Sequence, residues 1–374
     1  MPINPKLLEW ARKRAAFTVE EAAQKFSRFA EWEAGTASPT YSQLERVANE
    51  LRVPIAVFFF PEPPKEPVIR ESFRTLPEAE FDSMPRRITH LLRKAKAFQL
   101  NLSELMQGGN RSSRLITRDL QFPDDIALDT MVACVRSYLE ITLIEQYAWS
   151  SDDDALKAWR KALQNAGIFV FKDTFKTQNY SGFSLYDDIF PIIFVNNGSA
   201  KTRQIFTLFH ELAHLLFHTS GIDKMDDDYI ADLSAHQKRV EILCNQFAAS
   251  FLVPLGAFND AMAYQDHSEQ VAETLAARFH VSREVIFRMF LDRDWIKQTE
   301  YRQVARRWAD QQRAGGSGGN HYWTKIAYLG NEYISLAFSQ YYQHRIDDLQ
   351  LADYLDTKPR NLSALEEYFA KAPP

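Results

Sequence analysis

The chain has 374 residues, 45% of them hydrophobic and 25% charged, which is the balance of an ordinary globular protein long enough for two or three domains. Thirteen glycines and sixteen prolines exclude a fibrous or low-complexity chain, a net charge of −5 excludes a globally basic nucleic-acid binder, and two cysteines, Cys134 and Cys244, exclude a disulfide framework. No apolar run approaches the roughly 18 residues of a membrane helix, and MPINPKLLEWARKR lacks the apolar stretch of a signal peptide, so a cytoplasmic location is expected.

Residues 5 to 60 read as short helices. Leu7, Leu8 and Ala11 recur at helical spacing, and Thr18 with Glu21 three residues later predicts a capping box that opens a second helix through Phe26. Trp32, the turn EAGTASPT, a helix from Ser42 to Leu51 and the apolar IAVFFF follow. This order resembles the helix-turn-helix domain of the XRE/Cro class of bacterial regulators. Only SRFAE separates Phe26 from Trp32, so about one helical turn is missing where that class reads bases. Residues 1 to 60 carry eight basic and seven acidic side chains, which gives little attraction to phosphate. The expectation is a domain at 1–62 used for docking or dimerisation, with a working DNA reader as the competing reading.

PEPPKEP at 61–67 reads as a stiff linker into a basic helical connector, 63–150. A helix is predicted from Pro85 to Gln107, with Ile88, Leu91, Leu92, Ala95, Phe98 and Leu102 on one face. From Met84 to Arg118 the net charge is +7. A solvated helix face explains such a run, and a nucleic-acid or acidic-partner surface that uses Arg86, Arg87, Arg93 and Lys94 is the sharper alternative. Strand-like GIFVF (167–171), SGFSLY (181–186) and PIIFV (191–195) then predict a small sheet ahead of a helix that begins near Ala200. PIIFV is a candidate for pairing with an extended substrate. GGSGG at 315–319 reads as a joint into a C-terminal helical unit, and the paired helices expected at 271–290 and in the last unit read as packing elements.

The strongest chemical signal is HELAH at 210–214. On a helix, His210 and His214 lie one turn apart on one face, so both imidazoles reach one metal ion. Glu211 sits about 100° further round, where it orients a water and takes its proton. A catalytic zinc needs one more protein ligand and an open position. His218 continues the register, but another turn along a straight helix takes it out of reach. Glu241 in RVEILCNQFAASFLVP is the better candidate, because a lone acid on the inner face of an apolar helix requires a partner. Asn245, one turn later, is placed to hydrogen-bond a ligand.

FTLFHELAHLLFH (206–218), EILCNQFAASFLVP (241–254), FRTLP (73–77) and GGSGGNHYWTKIAYLG resemble the ImmA/IrrE family of bacterial metallopeptidases, in the form with an XRE-like domain fused in front. The resemblance spans nearly the whole chain. It implies zinc ligands His210, His214 and Glu241, with Glu211 as general base. The chain departs from the family pattern at Ala213, where glycine is usual, and at Cys244, where alanine is usual.

His218 faces a choice between substrate contact and packing, Cys244 between a thiol sensor and a small core residue, and the 219–239 connection, with His236 and the acidic IDKMDDDYIAD (222–232), between a flap or a contact for a basic substrate and a solvated loop. Tyr180, Tyr186, His218 and Arg239 are candidates for stabilising an oxyanion. The fold class expected is α+β, mainly α: a helix-turn-helix-like domain, a connector, a zincin-type core with a small sheet at 151–296, and a helical unit at 297–374. The function expected is zinc-dependent limited proteolysis of a regulatory partner. The resemblance implies a helix-turn-helix repressor controlling stress, mobile-element or defence genes. The alternative is an antitoxin or operon regulator that acts by binding DNA or a toxin. DNA contact and homodimerisation stay open.

Overall fold

The computed structural model describes residues 3–15, 17–51, 53–64, 84–123, 125–224, 233–311 and 320–372. FRTLP, the Asp-rich residues 225–232, the GGSGG joint and residues 65–67 of the linker lie outside the described residues. The protein is mainly helical with a small four-stranded sheet. It divides into two compact units, Met1–Glu71 with Asp82–Leu92, and Ser72–Phe81 with Arg93–Pro374. Residues 93–150 of the expected connector and the unit expected at 297–374 fall in the second of these.

In the first unit, α1 (Pro5–Arg14), α2 (Val19–Lys25), α3 (Phe29–Glu33), α4 (Tyr41–Leu51) and a 3₁₀ turn (Ile55–Phe59) enclose Leu7, Leu8, Phe29, Trp32, Val47 and Phe58. Thr18 and Glu21 form both halves of a capping box at the start of α2. α3 has five residues, too short for a recognition helix of ordinary length. Arg12 is buried beside it with a bidentate bond to Glu33 (2.6 and 2.7 Å) and a third to Phe17 O (2.8 Å). Arg86, at the start of α5 (Arg86–Leu105), pairs with Glu21 and lies over the Phe17 ring at 4.0 Å.

In the second unit, α6 (Ile116–Asp119), α7 (Leu128–Leu139), α8 (Leu143–Ala148) and α9 (Asp152–Asn165) precede β1 (Phe169–Asp173), β2 (Tyr180–Leu185) and β3 (Ile192–Asn196). α10 (Lys201–Leu216), β4 (Ile222–Lys224) and α11 (Ala235–Leu252) follow, then α12 (Leu255–Met262), α13 (Glu269–Phe279), α14 (Arg283–Leu291) and α15 (Gln298–Gln311). The chain ends with α16 (His321–Leu329), α17 (Asn331–Tyr342), α18 (Asp348–Tyr354) and α19 (Leu362–Ala370). The strand order is β1-β3-β2-β4, with β1 parallel to β3 and the other pairs antiparallel. β3, which carries PIIFV, is thus held on both sides and has no edge to offer a substrate. β4 is the last strand among the described residues.

Strand alternation sends Val170, Ile193 and Val195 into a core shared with α9, α10 and α11. It sends Phe171 and Phe194 to the other face, where Phe98 of α5 and Tyr333 of α17 pack on them. α13 and α14 contribute Leu275, Phe279, Phe287 and Phe290 to the first of these cores. Lys94 is mostly buried, bonded to Asp173 (2.8 Å) and Asp356 (2.7 Å), and Lys325 shares Asp356 (3.0 Å). This internal role removes Lys94 from a docking surface. Arg160 of α9 donates to Ala327 O (2.6 Å), Tyr328 O (3.3 Å) and Val170 O, which places a cation at the carbonyl end of α16. Gly330 leaves α16 at φ +87°, and a β-carbon there would stand 2.6 Å from Arg160 Nη2.

Lys172 on β1 is 8% exposed. Burial, with Arg160 and Lys201 nearby, pushes it down to about 6. The unfolded chain keeps this proton to far higher pH, so unfolding takes up a proton above pH 6 and the cost of burying Lys172 shrinks as pH rises. Lys172→Met is expected to stabilise the protein by a few kcal/mol at pH 6 and by much less at pH 9. Chemical denaturation at the two pH values measures this, and an equal gain at both would show that Lys172 is not a buried amine.

Candidate metal centre

α10 begins after Ala200 and is apolar round much of its circumference, so twelve of its sixteen residues are buried, His210, Glu211 and His214 among them. α11 packs along it, capped by Ser234 and Gln237, and brings Glu241 to the same place. One ligand atom each from His210, His214 and Glu241 falls within 4.8 Å of the others. His210 Nε2 lies 3.2 Å from His214 Nε2, and the Glu241 oxygens lie 3.6 Å from the first and 3.4 Å from the second.

The hydrogen bonds behind the imidazoles fix which nitrogen carries the proton. His210 Nδ1 is 3.0 Å from Asn245 Oδ1, an acceptor, so Nδ1–H donates and the Nε2 lone pair faces the pocket. His214 Nδ1 lies 3.4 Å from Thr219 Oγ1, which donates to His214 O (3.0 Å) and is therefore free to accept. Two nitrogen lone pairs and a carboxylate facing one another repel unless a metal ion, or a proton on His214, lies between them. This donor set fits a metal ion.

Burial lowers the pKa of His210 against the opposing pull of Asp223. Burial also opposes charge on His214, but Cys244 and Glu241 outweigh it and raise that pKa well above the ordinary imidazole value. Glu211, wholly buried, is pushed up to about 8 by burial, into the range where a group exchanges protons near neutral pH. Its Oε2 accepts from Ser184 Oγ at 2.7 Å, and its Oε1 is buried with no hydrogen-bond partner among the described residues.

Sequence reasoning did not find Ser184, Gly221 or Asp223. Gly182 and Ser184 are the small residues on the α10 side of β2, between the large Phe183 and Leu185, and that alternation was the available signal of close helix approach. A β-carbon at Gly221 would stand 2.5 Å from His214 Cγ and 2.8 Å from Glu211 Oε2. Asp223 on β4 accepts from Thr207 Oγ1 (2.7 Å) and Arg203 Nη2 (2.7 Å), and Arg203 Nε donates to Ser181 Oγ (2.9 Å), which ties β4 and β2 to α10.

The remaining candidates take other places. His218 sits just past α10 at φ +56°, with Nε2 3.1 Å from Thr117 O and its ring stacked on Tyr186 at 4.8 Å. Both residues line a cleft of about 540 Å³ with Leu115, Gln121 and Ile189. The Tyr186 hydroxyl donates to Asp188 (2.7 Å), Tyr180 is buried under Lys224, and Arg239 is exposed on α11. His236 lies in the first turn of α11. Cys244 is fully buried, and burial raises its thiol pKa, which makes it a poor nucleophile. Ala213 packs into the same core.

Gly221→Ala is expected to push His214 and Glu211 out of place, lowering metal content and destabilising the fold by about 1–3 kcal/mol. Elemental analysis and thermal unfolding test this. Undiminished metal with unchanged stability would show that the sheet does not press on the site. Because imidazole must be neutral to bind a metal, and His214 holds its proton tightly, metal affinity is expected to fall as pH is lowered from 8 to 6, measurable by competition with a chelator.

No curated protein matches the chain. Residues 163–290 match the Peptidase_M78 family model, described as the IrrE N-terminal-like domain. That stretch runs from the end of α9 through most of α14 and carries all four residues of the centre. The match supports the ImmA/IrrE family for this part of the chain, a domain of metallopeptidase type.

Proposed function

We propose that the protein is a zinc-dependent endopeptidase that makes limited cuts in a regulatory protein partner. The convergence of His210, His214 and Glu241 beside a buried Glu211 with one uncommitted oxygen carries this reading. Two nitrogens at 2.0–2.1 Å from a tetrahedral ion stand about 3.3 Å apart, close to the 3.2 Å between the two Nε2 atoms, and a nitrogen and carboxylate set favours zinc over harder ions. When bound by these three residues, a zinc ion supplies a Lewis acid with an open position that polarises a peptide carbonyl and acidifies water.

Glu211 takes a proton at Oε1 from the attacking water and returns it to the leaving amine. Asn245 holds His210 in the tautomer that binds metal. β4, one residue beyond Gly221, offers backbone groups to an extended substrate, and such pairing is indifferent to sequence. Selectivity then comes from docking, for which the N-terminal unit is available, and a helix-turn-helix repressor is the partner class this reading favours. The runner-up, an antitoxin or operon regulator acting by binding DNA or a toxin, rests on that same unit. Its five-residue α3 argues against base reading.

Purified protein is expected to hold about one zinc per chain, lost in His210→Ala and Glu241→Ala and kept in Glu211→Gln. Co-expression with the product of the adjacent gene, followed by intact-mass analysis, is expected to show a discrete cleavage product with the wild type and none with Glu211→Gln. Rapid digestion of casein would refute the limited-cleavage reading, and zinc-independent regulation that survives in Glu211→Gln would favour the runner-up. Residues 1–62 alone are expected to bind DNA weakly and without sequence preference. Tight operator binding by that fragment in a gel-shift assay would overturn this.

A further inference from the structure

We infer that Ser184 is a positioning residue for Glu211: it anchors one carboxylate oxygen to the sheet so that the other stays in place for proton transfer. The inference rests on the peptidase reading above. Ser184 Oγ lies 2.7 Å from Glu211 Oε2 and also accepts from Gly221 N–H at 3.1 Å. Because the amide fills an acceptor position, the hydroxyl hydrogen is committed to the carboxylate. The serine is itself fixed, since its backbone N–H donates to Gly221 O at 3.0 Å.

Three further observations give this bond its weight. Ser184 and Glu211 are both fully buried, so loss of the hydroxyl leaves a buried carboxylate oxygen without its donor. Gly221 leaves no room for a second donor, because any β-carbon there meets Glu211 Oε2. Oε1 has no hydrogen-bond partner among the described residues, so there the carboxylate is hydrogen-bonded through Oε2. A glutamate has three side-chain torsions, the last of them broad, so packing alone fixes the carboxylate less sharply than packing together with the Ser184 hydrogen bond. A displacement of about 1 Å at a reacting group costs on the order of 100-fold in rate.

The test uses the full chain loaded with Co²⁺, whose visible spectrum reports ligand binding, titrated with acetohydroxamic acid as a probe for the metal and the carboxylate together. Ser184→Ala is expected to bind cobalt as tightly as wild type but the hydroxamate about 10-fold more weakly. Glu211→Gln is expected to lose at least as much, and the double variant no more than Glu211→Gln alone, because Ser184 acts through Glu211. Ser184→Thr, which keeps the hydroxyl, is expected to restore binding. Should Ser184→Ala fail to fold, Ser184→Cys, close in volume but a weak donor, takes its place. Additive losses, loss of cobalt from a folded Ser184→Ala or Ser184→Cys, or wild-type hydroxamate affinity in either would overturn the inference. If Glu211→Gln alone leaves both hydroxamate binding and partner cleavage unchanged, the peptidase reading fails and this inference falls with it.

Discussion

Helix α10 carries two imidazoles and a carboxylate on consecutive turns into the buried interior, and an unanswered charge or lone pair there costs several kcal/mol. The parts of the fold around α10 can be understood as answers to that cost. Asn245 and Thr219 satisfy the outer nitrogens, Ser184 satisfies one oxygen of Glu211, and Glu241 arrives from α11 with the charge that a cation requires. The remaining deficit, two lone pairs and a carboxylate converging within a few ångströms, is what a bound metal removes. Each answer needs close approach, which is why glycine stands at 182 in β2 and at 221 just before β4, where α10 lies against them.

The second set of constraints holds the sheet itself. A four-stranded sheet with a three-residue last strand has little cohesion of its own. Arg203 and Asp223 tie its β4 side to α10, while Lys94, Asp173 and Asp356 join its β1 side to α5 and to the chain after α18. Arg160 closes the same edge by satisfying carbonyls of α16 and of β1 at once. Arg203–Asp223 and Lys94–Asp173 are largely buried charge pairs, so removing one partner leaves the other stranded, and they fix a geometry more than they add stability.

HELAH, Glu241 and the helices that bear them were legible in the sequence because their information is local or periodic. An acid on the apolar side of a helix is conspicuous at any distance from its partner. Three of the four strands match the predicted runs to within two residues, since runs such as PIIFV are unmistakable. What escaped has a common cause. β4 is too short to show alternation, Ser184 resembles any polar strand residue until Glu211 is opposite it, and Lys94 looked like part of a solvated basic face because Asp173 and Asp356 are distant in sequence. The C-terminal helices resembled a separate unit after a glycine joint, although Tyr333 packs on the sheet. Pairings across long sequence separations leave no mark on composition or period.

The packing of α17 on the sheet bears on the order in which the protein comes into being. Phe171 and Phe194 are covered on one side by Phe98 and by Tyr333, the latter made about 140 residues after β3. A nascent chain that has emerged only as far as α11 already holds His210, His214 and Glu241, but its aromatic sheet face has Phe98 and lacks Tyr333, and its β1 edge is incomplete. Domains fold as units once their cores can close, and exposed faces of this kind invite aggregation in the meantime. The ribosome therefore finishes most of the C-terminal helices before the sheet can be sealed, and chains that stop short carry the chemistry without the scaffold that restrains it.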